Sequence, residues 1–288
     1  MREGTVLVSS GPLHMTIFAK KKDRFLNDEA EEGARYALHL LKHLSHSLPI
    51  IKQKSTQLTV QKDFPEVVNE MILATQAMED PSLTPLAAVA GTTADLVADL
   101  LLQTGATKIV VNNGGDIAIR LREGESARVG LCLDISKHEV KSYVTVTQDC
   151  GICTSGFGGR SFTLGVADSV VTLSDRASVA DAAATRLGNK TNILSPKILR
   201  KKAKNIYPDT DIPDERVTVL VGDLSECEIK RALRNGKHEA SKLIQKHLIH
   251  GAVIAVKGMR LDLGYFEQFI EYLICKRIGP EDRGRILA

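Results

Sequence analysis

Val110-Val111-Asn112-Asn113-Gly114-Gly115-Asp116-Ile117 carries an apolar strand straight into two glycines and a carboxylate. Paired glycines let a backbone approach a ligand with no Cβ in the way, and the aspartate sets a charge where the strand ends. Upstream, Thr84-Pro85 opens a helix that runs through Leu86, Val89, Leu96, Leu100 and Leu101 and stops at Gly105. Thr84 is its expected N-cap and Pro85 its first helical residue. The helix is rich in small residues (Ala87, Ala88, Ala90, Gly91, Ala94), so another element can pack closely on it. Residues 109–111 follow as a continuous apolar strand. Downstream, 117–121, 127–133 and 143–147 alternate in strand fashion around a turn at Glu123-Gly124-Glu125, and 161–166 and 169–173 add two more strands.

Further out, a first strand is expected near 15–19 and a helix over 29–48, with Ala37, Leu41, Leu44 and Leu48 on its buried face and Pro49 as its stop. His39, His43 and His46 fall on the opposite face, either as part of a solvated polar surface or as metal ligands approached from solvent. A second amphipathic helix covers 67–78. Residues 179–187 read as a helix closed by Gly188-Asn189, and 190–213, polar and basic at Arg200-Lys201-Lys202, as a long loop. A strand at 217–221, helices through Leu233 and through Leu248, a strand at 252–256 and a last helix over 265–278 complete the chain. Strands and helices mix without regular βα alternation, which predicts an α+β protein with mixed sheets and packed helices.

Composition narrows the functional classes. The 288 residues suffice for one large or two small domains, and a hydrophobic content of 43% supports a sizeable core. A net charge of +3, from 38 basic and 35 acidic residues, is too small for nucleic-acid binding by bulk electrostatics. With no tryptophan and 4% aromatics, stacking platforms for bases or sugars are scarce. Ser9, Ser10, Gly11, Pro12 and His14 interrupt any apolar signal-peptide core, and no run reaches the roughly 18 apolar residues of a membrane span. The expectation is a cytoplasmic protein without membrane or nucleic-acid partners, whose five cysteines are reduced thiols.

Three segments carry candidate chemistry. Asp181 and Thr185 are four apart on a helix, so both oxygens leave one face, and the three alanines between them leave it uncrowded. Such a pair suits a hard cation that keeps other positions for water and phosphate, as Mg²⁺ does. Equally, Ser178 and Asp181 have the spacing of a capping box. Gly114-Gly115-Asp116 lacks the third glycine of a dinucleotide fingerprint and the Gly-Lys-Ser/Thr of a phosphate loop, and taken alone also fits a simple turn. Thr154-Ser155-Gly156-Phe157-Gly158-Gly159-Arg160 can cradle a phosphate with backbone N–H groups and hold it with the arginine, or be a glycine-rich hairpin connection. Cys150 and Cys153 form one CxxC, without the second pair of a zinc site, and are read either as structural cysteines or as a sulfur-handling thiol. Cys132, Cys227 and Cys275 sit in apolar segments and read as core.

The order of these segments, a small-residue helix carrying aspartates, then Asn-x-Gly-Gly-Asp, Thr-Ser-Gly and Ala-Asp-Ala-x-Ala-Thr, resembles the ApbE-like superfamily. Its best-known members are FAD:protein FMN transferases. The likeness covers roughly residues 84 to 190. It is strongest to a cytosolic branch of uncharacterised archaeal and bacterial proteins, with TPLAAVAG and CTSGFGGRSF as marks. The resemblance implies one domain over residues 1–288. It implies a flavin nucleotide (FAD or FMN) beside Asn113, Gly114, Gly115 and Asp116, a Thr-Ser-Gly loop at Thr154, Ser155 and Gly156, to which the residue reading adds Arg160 as a phosphate contact, and Mg²⁺ on Asp181 and Thr185. A backbone carbonyl within 88–90 would be a further ligand.

Two departures bear on activity. The transferases' Lys-Gly is Ala90-Gly91 here, and their His-Ile-Ile-Asp-Pro is Gly165-Val166-Ala167-Asp168-Ser169. The missing histidine removes an acid–base group, a class of contribution worth about 10²–10⁴-fold, so ligand binding is expected rather than flavin transfer. Residual transfer would fall to Asp168. The branch is also associated with sulfide assimilation into homocysteine, and Cys153 beside the ligand loop would then carry a nucleophilic persulfide. A non-catalytic partner subunit or homo-oligomer is the remaining alternative.

Overall fold

The computed structural model describes residues 4–134, 140 and 142–272. The chain opens with the hairpin β1 (Thr5–Ser10) and β2 (Leu13–Lys21), a short β3 (Arg24–Phe25), and helices α1 (Asn27–His46), α2 (Leu48–Ile51) and α3 (Glu66–Gln76). A 3₁₀ turn, Pro85–Ala88, leads into α4 (Val89–Gln103). Then come β4 (Lys108–Asn113), β5 (Asp116–Leu121), β6 (Ala127–Leu131), β7 (Ser142–Val146), β8 (Cys150–Ser155), β9 (Ser169–Ser174) and α5 (Ala177–Lys190). The last third holds β10 (Ile198–Lys202), β11 (Arg216–Val221), α6 (Glu226–Gln245), β12 (Gly251–Val256), β13 (Met259–Gly264), α7 (Tyr265–Phe269) and β14 (Ile270–Tyr272).

The α+β expectation holds. One sheet runs β1-β2-β4-β5-β8-β9-β12-β13, with β3 on β2, and every pair in it is antiparallel. Helices α1, α4, α5 and α6 cover one face. The small sheet β14-β7-β6 covers the middle of the other, where Ile119, Ile152, Val171 and Val253 meet Val129, Val144 and Phe266. Side chains alternate across a strand, so Ala118 and Cys153 face the helices while Ile119 and Ile152 face the small sheet. The stretch Pro85–Gln103 is long and apolar enough to cross a membrane by length and composition alone. Here it is a core helix, with Ala94, Val97, Ala98 and Leu101 buried.

Several expected elements change. The 29–48 helix ends at His46, and Pro49 lies inside the following turn α2 rather than stopping α1. Leu40 is buried on α1, while Leu48 is exposed and His39 and His46 face solvent. Residues 161–166 are no strand, because the end of α5 takes their backbone donors: Leu164 N–H bonds Asn189 Oδ1 (2.9 Å), and Val166 and Ala167 N–H both bond Thr191 Oγ1 (3.0 Å). Gly188-Asn189 does not close α5, which continues to Lys190. Within 190–213 lies β10, paired with β11. The two helices expected through Leu233 and Leu248 are one, α6; Asn235-Gly236 resembles a break, but Gly236 is buried where a Cβ would lie 2.7 Å from Ile254. Of the 265–278 helix, residues 265–269 form α7 and 270–272 form β14, while residues 273–278, with Cys275, lie outside the described residues.

Candidate functional site

The glycines decide the geometry first. Asn113 pairs with Asp116, so Gly114-Gly115 is a two-residue hairpin loop with φ of +67° and +112°, a conformation that favours glycine. Asn112 Oδ1 accepts the Gly115 N–H at 2.9 Å and closes the turn. Asn113, on the helix side of β4, donates Nδ2–H to the Ala90 carbonyl at 3.3 Å. The absent Cβ of Gly114 would sit 1.9 Å from Arg160 Nη2, so the guanidinium of the glycine-rich loop lies directly on this turn. Arg160 also donates to the Pro12 carbonyl at 3.3 Å.

Small residues bring α4 and α5 together. A Cβ on Gly91 would lie 2.1 Å from the Ala177 carbonyl oxygen. Through that contact the Gly91 N–H reaches Asp181 Oδ2 at 2.9 Å, and the Ala90 amide bonds the same carboxylate. Asp181 therefore does not cap its own helix. The N-cap is Arg176 with no side-chain bond, and the Ser178 N–H goes to Asp95 Oδ2 at 2.9 Å. Thr84 caps nothing either; its hydroxyl donates to Asp211 Oδ2.

Asp116 and Asp181 are 8% and 9% exposed. Burial pushes the Asp116 carboxyl up to about 6, against the Thr154 N–H (3.2 Å), the Cys153 thiol and the Arg160 charge, all of which favour the carboxylate. Asp181 is held well above the carboxylate range by burial first and by the Asp116 charge second. A cleft of about 1970 Å³ opens onto this pair, and Asn113, Gly114, Gly115, Thr154, Ser155, Arg160 and Thr185 line it with them. The candidates from all three sequence segments thus converge.

Gly156, Cys153 and Asp168 are not part of the lining. Gly156 (φ +143°) packs where a Cβ would meet the Asp168 carbonyl at 2.6 Å. Asp168 sends its carboxylate to the Lys257 N–H, and burial raises its pKa. Cys153 is fully buried, with its thiol 3.2 Å from the Ala177 carbonyl, and burial followed by the Asp116 and Asp181 charges pushes it well above 9. That is opposite to what a nucleophilic sulfur needs. Cys150, pushed up to about 12 chiefly by burial, packs with the small-sheet face, so the two CxxC thiols lie on opposite faces of the sheet. Cys227 is exposed and Cys132 half-buried, which corrects their core assignment.

An ion network behind the site went unnoticed in the sequence. Arg120 Nη2 bonds Asp95 Oδ1 (2.9 Å) and its Nε bonds Asp99 Oδ1 (2.7 Å), while Arg176 Nη1 bonds Asp99 Oδ2 (2.7 Å). Asp95 and Arg120 are almost completely buried. The network ties α4 to the strand that starts at Asp116 and to the start of the helix that carries Asp181. Its available signal was Asp95 and Asp99, one turn apart in an otherwise apolar helix.

Among the described residues no three His, Cys, Asp or Glu side chains converge as a metal cluster. Mg²⁺ needs less: one or two carboxylates, with water and substrate phosphates completing the shell. Two buried carboxylates, the charge of Asp116 raising the pKa of Asp181, with a hydroxyl one turn on and the Arg160 guanidinium on the Gly114 turn, fit a Mg²⁺–phosphate pair.

The fold matches flavin transferase ApbE from Vibrio cholerae (TM-score 0.53, 13% identity, 92% of this chain and 98% of that one). It also matches the apo flavinyl transferase ApbE of Pseudomonas stutzeri (0.52, 13%, 93% and 97%). Among sequence relatives, a UPF0280 protein of Methanococcoides burtonii is 36% identical over 170 residues, 54% of this chain and 66% of that protein. A UPF0280 protein of Methanosarcina acetivorans is 39% identical over 132 residues, 45% and 50% of the two chains. The chain thus spans two thirds or less of the curated relatives it matches. A family model described as AbpE bacteria matches residues 1–263, and the chain belongs to that family, within the ApbE-like superfamily.

Proposed function

We propose that the cleft binds a phosphate-bearing ligand, a flavin nucleotide (FAD or FMN), together with Mg²⁺. One observation carries this: Asp116 and Asp181 are both buried at the cleft with raised pKa values, so a cation bound between the cleft and these carboxylates would be strongly favoured. Asp181 and Thr185 would hold the cation, and the Ala90 and Gly91 N–H groups orient the carboxylate. The bound Mg²⁺ neutralises phosphate charge. Arg160, seated on Gly114, lines the same space with Thr154 and Ser155 and would meet the phosphate oxygens.

Binding without transfer to protein is the form of this reading that the residues favour. The superfamily histidine is absent, and Asp168, its nearest substitute, engages Lys257 outside the cleft lining. The test is a fluorescence titration of FAD into the protein with Mg²⁺ and again with EDTA, on wild type and Asp181→Ala. Mg²⁺-dependent quenching that the variant loses is expected. Absence of FAD, FMN and ADP binding at millimolar ligand with Mg²⁺ ends the proposal. A covalent FMN adduct on a threonine-bearing acceptor peptide would restore transfer.

A further inference from the structure

The histidines of α1 take no part in the cleft. Leu38, Leu41, Lys42 and Ser45 line it from that helix, whereas His39, His43 and His46 do not. His39 and His43 are four residues apart, so they are neighbours on one helix face. Their rings lie side by side, with centroids 4.3 Å apart and planes tilted by 46°. Tyr36 flanks His39, with its ring within 16° of parallel at a centroid distance of 6.4 Å. Among the described residues no hydrogen bond or ion pair engages an imidazole nitrogen of His39 or His43. His250, by contrast, has Nε2 2.7 Å from Asp175 Oδ1. The α1 pair therefore leaves its nitrogens open to a ligand.

The ring spacing selects the kind of ion. An ion held by one nitrogen of each imidazole sits about 2.0–2.1 Å from each nitrogen and about 3.2 Å from each ring centre. Two rings at a right angle around it have centres about 4.5 Å apart, and two rings at the tetrahedral angle about 5.2 Å. The observed 4.3 Å matches the right angle. That is the geometry of tetragonal Cu²⁺ or Ni²⁺ rather than of tetrahedral Zn²⁺.

The helix supplies the rest. Ala30, Gly33, Ala37, Leu40 and Leu44 bury the other side of α1 in the core, so the two ligands stand on a backbone that is already ordered. His43 lies in the last turn of α1, where the negative end of the macrodipole favours a cation. Burial, with the charges of Glu66 and Asp99, holds the proton on the Tyr36 phenol, so Tyr36 flanks the pair with its ring and adds no ligand. No third His, Cys, Asp or Glu converges on the pair among the described residues, which leaves the remaining positions to water.

We propose that His39 and His43 chelate one Cu²⁺ or Ni²⁺ ion on the outer face of α1, at a site separate from the Asp116–Asp181 cleft. The inference does not depend on what the cleft binds.

The experiment titrates Cu²⁺, Ni²⁺ and Zn²⁺ separately into the protein by calorimetry. Excess Mg²⁺ competes for the cleft carboxylates, and a Cys227→Ser background removes the exposed thiol. His39→Ala and His43→Ala are compared with wild type, and His46→Ala serves as the control on the same helix. Thermal melting without metal checks that every variant folds as wild type does. The expected result is one Cu²⁺ or Ni²⁺ per chain, with Ni²⁺ bound more tightly than Zn²⁺. His39→Ala and His43→Ala should each weaken binding by about 10–100-fold or more, and His46→Ala should leave it unchanged. The paramagnetic resonance spectrum of bound Cu²⁺ should show two nitrogen ligands in wild type and one in either single variant. If wild type binds neither Cu²⁺ nor Ni²⁺, the site falls. If both single variants bind with the affinity of wild type, the ion sits elsewhere and the site falls. Equal loss in His46→Ala refutes a two-histidine chelate, and tighter binding of Zn²⁺ than of Ni²⁺ refutes the right-angle geometry. None of these outcomes touches the proposed function.

Discussion

Replacing Asp116 with asparagine should make the ligand-free protein more stable near neutral pH. The native carboxyl is pushed from an ordinary 3.8 to about 6, mainly because it is buried. Each pKa unit is worth about 1.4 kcal/mol, so ionising Asp116 in the folded state costs about 3 kcal/mol. The sign follows from linkage. A carboxyl whose native pKa is raised favours the fold fully below its unfolded pKa, and this advantage is lost as pH rises through about 6. Wild type in EDTA should therefore lose about 2 kcal/mol of stability between pH 4.5 and 7.5 from this group, with Asp181 adding a loss of the same sign. Asp116→Asn has no charge to bury and keeps an oxygen to accept the Thr154 N–H, so its own share of the loss disappears. Millimolar Mg²⁺ should restore wild type at pH 7.5, by about 2.7 kcal/mol at a hundredfold excess over Kd, and restore the variant less. Urea unfolding at a series of pH values, with and without Mg²⁺, measures all of this. A pH profile for the variant parallel to that of wild type, or a variant no more stable than wild type in EDTA at pH 7.5, refutes the electrostatic account of the site.

Three further outcomes follow from the packing. Arg120→Leu removes the buried cation bonded to Asp95 and Asp99, leaving Asp95 the Ser178 N–H and the more distant Arg176 (3.4 Å), and should cost about 3–5 kcal/mol in urea unfolding, and a cost below about 1 kcal/mol would show that the network is dispensable. Gly91→Ala would gain about 1 kcal/mol on an exposed helix, but its Cβ would lie 2.1 Å from the Ala177 carbonyl, so a net loss of about 1–3 kcal/mol and weaker Mg²⁺ protection are expected by thermal melting. In the native protein a thiol reagent should label Cys227 quickly and leave Cys150 and Cys153 untouched, as peptide mapping would show; prompt labelling of Cys153 would return it to the functional site.

Local signals survived where local physics sets the structure. Gly114-Gly115 between two apolar runs encodes a hairpin turn wherever it occurs, and the structure has that turn with both φ values positive. Gly105 ends α4 at φ +80° as expected. Misreadings arose where a distant element supplied the deciding partner. Residues 161–166 alternate like a strand, yet Asn189 and Thr191 take their backbone donors. The helices expected separately through Leu233 and Leu248 are one, because Gly236 packs against Ile254 inside α6. Ser178-Val179-Ala180-Asp181 spacing matches a capping box, yet Asp95 and Gly91 claim the two groups.

The sequence by itself determined the α+β class, the glycine turn, the one-face spacing of Asp181 and Thr185, and the ApbE-like order of the segments, because strand and helix periodicity, turn chemistry and motif order all operate over a few residues. Only the tertiary structure decided which candidates share the cleft. Strand alternation buried Cys153 beneath α5 and turned Cys150 to the other face; the β9–β12 pairing placed Asp168 beside Lys257; and the connection between β10 and β11 brought Tyr207 to a cleft whose charged residues lie mostly before it in the chain. Burial and charge neighbourhood come from contacts between residues far apart in sequence, and a pKa or a cleft exists only once those contacts have formed.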